Sequence, residues 1–241
     1  MIKIFHFLLN VLEFSYKKKI LKNLKENLPN KMNSFFDIGA HHGETTIEMH
    51  KNFSIENFFL FEPSIKNFHE LKKQLNKKKI EKNLKIFNYA LGNENKDVDI
   101  NEVLESSSST INSINTNTNY FRRKKKILSL FSRKIEITKD KIKLVSFSNF
   151  IKKNNIQKID FIKIDTEGYE FNILKNIENF LENVGVIQFE HHYDLMIVKN
   201  YRFRDIHNLL INNNFQKKFK SKMKFRKSFE YIYKNKNYRF D

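Results

Sequence analysis

Hydrophobic positions follow two different periods along this chain. Phe5, Leu8, Leu9 and Leu12 share one helical face, and Leu21, Leu24 and Leu28 continue the pattern until Pro29 stops it. The spacing predicts a helical arm over residues 1–30, ahead of a domain spanning 31–241. From Ser34 onward, short apolar runs alternate with amphipathic stretches. SFFDIGA, NFFLFEP (57–63), LKIFNYALG (84–92), KIDFIKID (158–165) and VGVIQFE (184–190) read as strands. Between them, Glu44–Phe53, the set Ile65, Phe68, Leu71 and Leu75, and the set Phe171, Leu174, Ile177 and Leu181 read as helices. Near-continuous apolar strands alternating with helices predict an α/β fold with a mostly parallel sheet covered on both faces. The closing FEYIYKNKNYRF alternates aromatic and polar residues, which suits a C-terminal antiparallel hairpin at a sheet edge. Between Glu105 and Arg133, SSSSTINSINTNTN lacks apolar periodicity. A mobile loop is expected there, either a lid over substrate or plain disorder.

Charge and composition narrow the picture. Among 241 residues, 45 Lys and Arg face 27 Asp and Glu, a formal net charge of +18. Lysine is spread over the whole chain, so most of that charge reads as a solvated surface. Attraction to nucleic acid or anionic lipid is the sharper alternative. The absence of cysteine excludes a disulfide scaffold, thiolate metal sites and a cysteine nucleophile, and a cytoplasmic setting is expected. His6, Asn10 and Glu13 interrupt the N-terminal apolar run, which falls short of the roughly 20 residues a spanning helix needs. The arm therefore either packs on the domain or lies on a membrane surface beside Lys17, Lys18 and Lys19.

Candidate chemistry gathers at strand ends. Asp37-Ile-Gly39-Ala40-His41-His42-Gly43 places an acid at the first strand tip, then a glycine turn, then a helix N-terminus with free N–H donors. The second strand ends in Glu62, where a carboxylate can accept both hydroxyls of a ribose. Neither GxGxxG nor GxxxxGK[ST] occurs, which removes the dinucleotide fingerprint and the P-loop. What remains is a site for an adenosine-containing ligand. His191 and His192 follow Glu190 at a later strand tip, and without a ligand-spaced partner they are not read as metal ligands.

FFDIGAHHGETT, LFEPS, YALGN and above all IDFIKIDTEGYEFNILKN resemble the motifs of the FkbM-type methyltransferases, which depend on S-adenosylmethionine (SAM). The resemblance runs from about Asn33 to His192, and the N-terminal arm, the 106–133 loop and the tail lie outside it. It implies a class I, Rossmann-like fold of seven strands, with SAM across the tips of the first strands. Asp37, Gly39, Ala40, His41 and Gly43 would line the methionine and ribose side, Glu62 would hold the ribose, and Ala90 and Leu91 would lie near the adenine. Asp165 and Glu167 would act at the fourth strand tip, unless they only cap and shape the turn with Gly168 and Glu170. His192 would serve as a base toward the acceptor, and His192 and Glu190 are next in line should Asp165 prove dispensable. The implied reaction is methyl transfer from SAM to oxygen, on a sugar, a glycan or a small secondary metabolite. An RNA methyltransferase is the alternative, favoured by charge and by FRRKKK (121–126) but lacking an appended RNA-binding motif. A third reading is a catalytically silent binding module with the same fold.

Overall fold

The computed structural model describes residues 2–80, 83–103, 109–129, 137–222 and 227–241. Its elements in chain order begin with α1 (Ile2–Asn27), β1 (Lys31–Ile38), α2 (Glu44–Asn52), β2 (Ser54–Phe61), α3 (Ile65–Lys77) and β3 (Leu84–Phe87). Next come β4 (Ala90–Gly92), β5 (Lys96–Val103), β6 (Ser109–Thr110), α4 (Asn119–Ser129), β7 (Ile137–Ser146) and α5 (Phe147–Lys153). The chain closes with β8 (Ile159–Ile164), α6 (Glu170–Asn176), a 3-10 turn (Glu178–Asn183), β9 (Val184–His192), α7 (Phe203–Asn212), β10 (Phe215–Lys222) and β11 (Ser228–Asn235).

The apolar runs form a seven-stranded sheet in the order β10-β11-β9-β8-β1-β2-β3. All pairs from β9 to β3 are parallel, and β11 runs antiparallel between β9 and β10, closing the sheet with the expected hairpin. Alternate residues of each strand feed opposite layers. Phe35, Phe58, Leu60 and Phe161 pack with Leu24 and Leu28 of the arm, Met49 of α2, and Leu71 and Leu75 of α3. Phe36, Phe59, Ile162 and Ile187 pack with Phe150 of α5, Leu174 of α6, and Ile206 and Leu210 of α7. The reading of strands buried on both faces follows from this sandwich.

Two expectations need correction. LKIFNYALG is not one strand: β3 ends at Phe87, and β4 leaves the central sheet for a second, four-stranded one in the order β4-β7-β5-β6. The seven-stranded main sheet is as expected, and the second sheet brings the strands among the described residues to eleven. The segment 105–133 is not a loop over 109–129, where β6 pairs with β5, Ile114 bridges Ile197, and α4 carries the FRRKKK run. Polar side chains do the ordering: Thr110 Oγ1 donates to the Glu167 carbonyl at 2.7 Å, and Asn112 Nδ2 to the Gly168 carbonyl at 2.6 Å. The remainder of that expected loop lies outside the described residues.

The arm is a helix as predicted, and Tyr16, Leu24 and Leu28 are buried against the domain. The side chains of Phe5, Leu8, Leu9 and Leu12 lie outside those described. Among the described residues, no helix is long and apolar enough to cross a membrane.

Candidate active site

Parallel sheets expose their carboxyl edge where strand order reverses, here between β1 and β8. A cavity of about 290 Å³ opens there, lined by Gly39, Ala40, His41, Glu62, Ala90, Leu91, Lys163, Asp165, Glu167 and Glu190 among others. Most of the residues singled out in the sequence therefore meet around one space.

The turn after β1 is held by strict backbone geometry. Gly39 has φ +83°, and a Cβ there would lie 2.0 Å from the Asp165 carbonyl oxygen. Glycine is needed because the β1 and β8 tips touch at this point, more than for access by a ligand. The amide of Gly39 donates to the Phe61 carbonyl at 3.0 Å, and the amide of His41 donates to Glu62 Oε2 at 2.8 Å. Ser64 N donates to Glu62 Oε1 at 2.9 Å, so each carboxylate oxygen takes one amide. Burial is the main influence on Glu62 and lifts its carboxyl to about 7, with those amides working against it.

Two expected ligand residues sit elsewhere. Asp37 does not line the cavity; it is fully buried beneath it, accepting from Thr46 Oγ1 at 2.7 Å and facing Lys163 Nζ at 3.6 Å. Register explains this, because Asp37 and Lys163 are direct partners on adjacent parallel strands. Gly43 caps α2 at φ +85°, and a Cβ there would press Leu71 of α3 at 2.8 Å. Its place is helix packing.

Lys163 is the residue that the sequence reading missed. Its only signal is that it is a second charge, after Asp160, in a strand whose other residues are apolar. Its Nζ lies 3.2 Å from Asp165 Oδ2 and also donates to the Gly39 carbonyl at 3.5 Å. Burial pulls this ammonium down, but Asp165, Asp37 and Glu230 outweigh it and hold it above its ordinary range.

A second charged cluster lies behind Glu167. His192 Nε2 is 2.8 Å from Glu167 Oε2 and 3.3 Å from Glu190 Oε1, while its Nδ1 is 3.4 Å from Asp194 Oδ2. Burial opposes the imidazolium, yet Glu167, Asp194 and Glu190 outweigh it and raise His192 well above its ordinary value. His192 is buried and is not part of the cavity wall. Its Nε2 faces Glu167 and Glu190 and its Nδ1 faces Asp194, so neither ring nitrogen is turned to the cavity as the expected base would be. Burial first, then Asp165, raise the carboxyls of Glu190 and Glu230, which are register partners on β9 and β11. Glu170 is structural: it is fully buried, and its Oε1 accepts from Gly168 N at 2.8 Å while Tyr201 donates to Oε2.

His41, His42 and Glu44 each bring one possible ligand atom within 4.8 Å of the others. The two imidazoles, however, stack face to face at 3.7 Å. A metal binds in the ring plane at about 2.1 Å from nitrogen, so this stack would have to open before both rings could ligate one ion.

The sheet order, the glycine turn on β1 and the acid after β2 define a Rossmann-like methyltransferase fold of class I. The family profile described as "Methyltransferase FkbM domain" matches residues 37–219, and the chain belongs to that family. Among solved structures, it is similar to a methyltransferase FkbM from Methylobacillus flagellatus KT, with TM-score 0.55, 14% identity and coverage of 87% of this chain and 46% of that one. The chain thus spans about half the length of that relative. It is also similar to TrmK of M. capricolum in complex with S-adenosyl-homocysteine, with TM-score 0.50, 13% identity and coverage of 90% of this chain and 68% of that one. No curated protein matches the chain in sequence.

Proposed function

We propose that the cavity binds SAM and that the protein methylates a hydroxyl of a sugar, a glycan or a small secondary metabolite. Glu62 carries this reading. A carboxylate has about four acceptor sites, and the two backbone amides leave capacity for two ribose hydroxyls on the cavity wall. Ala90 and Leu91 offer an apolar wall beside it for the adenine. When bound, the cofactor would supply an electrophilic methyl group.

The protein's own residues divide the remaining work. Lys163 engages Asp165 and fixes its carboxylate at the β8 tip, where negative charge faces the cofactor. Glu167 is engaged by His192. Glu190 lines the cavity with a carboxyl raised by burial, so it is the group suited to take the proton of an acceptor hydroxyl. His192 Nε2, 3.3 Å from Glu190 Oε1, orients Glu190. The cysteine-free chain suits a reducing cytoplasm, and we assign it there.

Calorimetry with SAM tests the reading. Glu62→Gln should weaken binding by about 1.5–3 kcal/mol, the worth of a charge-assisted hydrogen bond. Folded wild type that does not bind SAM, or equal affinity in the variant, would refute it. The exposed Arg122, Arg123 and Lys125 of α4 favour RNA as the second acceptor class. Labelled SAM offered with fractionated cell extract separates the two, according to whether label enters carbohydrate, small-molecule or RNA fractions.

A further inference from the structure

The strand β9 leads into a segment whose side chains are sorted with unusual sharpness. Asp194, Met196 and Ile197 point inward and are 4%, 3% and 3% exposed. Leu195 and Val198 point outward and are 77% and 52% exposed. This is not a slack loop. Val198 N donates to the Ser113 carbonyl at 2.9 Å, Asn115 N donates to the Met196 carbonyl at 2.7 Å, and Met196 N donates to Asp194 Oδ1 at 3.0 Å. Leu195 and Val198 are therefore held in water by a fixed backbone, at a cost that a partner would recover.

The same inward residues seat α4, because Met196 and Ile197 form one apolar cluster with Phe121. Arg122, Arg123 and Lys125 follow directly on α4, and all three are exposed. Aliphatic side chains presented to solvent beside a cationic helix are what an anionic bilayer surface accommodates: the apolar groups enter the interface and the cations meet the headgroups. Nucleic acid fits less well, since leucine and valine gain nothing from stacking on bases.

We propose that α4 and the 193–199 segment form a docking surface for an anionic lipid bilayer. This surface is distinct from α1 and does not depend on the identity of the methyl acceptor. It adjoins the cavity, because β6 and the segment that follows it toward α4 brace the Glu167-Gly168 turn through Thr110 and Asn112, and Glu167 lines the cavity. Docking there would bring the cavity close to the membrane surface.

The full-length protein should sediment with vesicles of about one part phosphatidylglycerol to three of phosphatidylcholine, and should not sediment with phosphatidylcholine alone. Leu195→Asp with Val198→Asp should lower the partition coefficient by about tenfold or more. Arg122→Glu, Arg123→Glu and Lys125→Glu together should lower it on the order of 10²-fold or more. All five positions are exposed, so unchanged melting temperatures would confirm intact folding. Wild type that ignores anionic vesicles overturns the proposal. So does vesicle binding that survives both variants, which would put the contact on another surface such as α1. Binding to single-stranded RNA that exceeds vesicle binding and is lost only in the charge variant would also overturn it.

Discussion

Replacing Lys163 by methionine keeps most of the apolar stem of the side chain and removes the ammonium, with its charge and its hydrogen bond to the Gly39 carbonyl. What remains is Asp37, fully buried, whose Oδ1 lay 3.6 Å from the ammonium, and Asp165 at 3.2 Å with a third of its side chain exposed. At that separation two unit charges attract by about 4–5 kcal/mol at an effective dielectric of about 20. Water screens Asp165, so most of the loss comes from Asp37. Breaking a buried pair on one side costs about 3–5 kcal/mol, because the other charge stays buried without compensation. Urea unfolding at about pH 8 should report that deficit. Burial already raises the Asp37 carboxyl above its ordinary value, with Lys163 and Thr46 in partial opposition, and losing Lys163 raises it further. A carboxyl raised in the folded state binds more protons there than in the unfolded chain, so its contribution to stability falls as pH rises. The deficit of Lys163→Met should therefore shrink to about 1 kcal/mol near pH 4.5 and widen toward pH 8. Adding Asp37→Asn to Lys163→Met should recover most of the loss, since asparagine still accepts from Thr46. A single variant within about 1 kcal/mol of wild type at both pH values would refute the reasoning.

Gly39→Ala should lower Tm by roughly 6–12 °C, about 3 kcal/mol, because a Cβ at φ +83° would lie 2.0 Å from the Asp165 carbonyl; a scanning-calorimetry shift under about 2 °C would contradict the contact. Glu190→Gln should slow labelled-methyl transfer into the carbohydrate fraction by roughly 10²–10⁴, with SAM affinity within about threefold of wild type. Near-wild-type turnover would remove Glu190 as the base. SAM binding near pH 7 should release protons, because Glu62 titrates at about 7 and its ionised form accepts ribose hydroxyls. Binding enthalpies that do not vary with the ionisation heat of the buffer would argue against that coupling.

The parts of the site that the sequence revealed are those encoded locally. The Gly39 turn, Glu62 at the next strand tip and the Asp165–Glu170 turn are each short segments in which a strand run ends in an acid, followed by a glycine in the first and third and by Pro63 in the second. Lys163 was hidden because its meaning lies in register: it pairs across strands with Asp37, which is 126 positions earlier. The second sheet was hidden for a related reason. Lys96–Val103 and Ile137–Ser146 do alternate, but their outward faces are charged and each finds its partner across the α4 region. The Ser/Asn/Thr tract reads as a mobile loop, lid or disorder, because its ordering contacts are hydrogen bonds to a distant turn, and apolar periodicity carries no trace of those.

The cavity differs in character from the rest of the molecule. The chain as a whole carries a formal charge of +18, yet Glu44, Glu62, Asp165, Glu167 and Glu190 on the cavity wall face only Lys17 and Lys163 among its lysines. Asp37 and Glu230 lie beneath, both fully or nearly fully buried. Concentrating carboxylates in a dry place is costly, and raised carboxyls at Glu62, Glu190 and Glu230 are how that cost is expressed. A neutral ligand would leave the cost in place. A cationic one relieves it, since a positive centre near these groups favours their ionised forms. The sulfonium of SAM would be such a centre, so the proposed cofactor matches the charge of the cavity as the proposed bilayer matches that of α4.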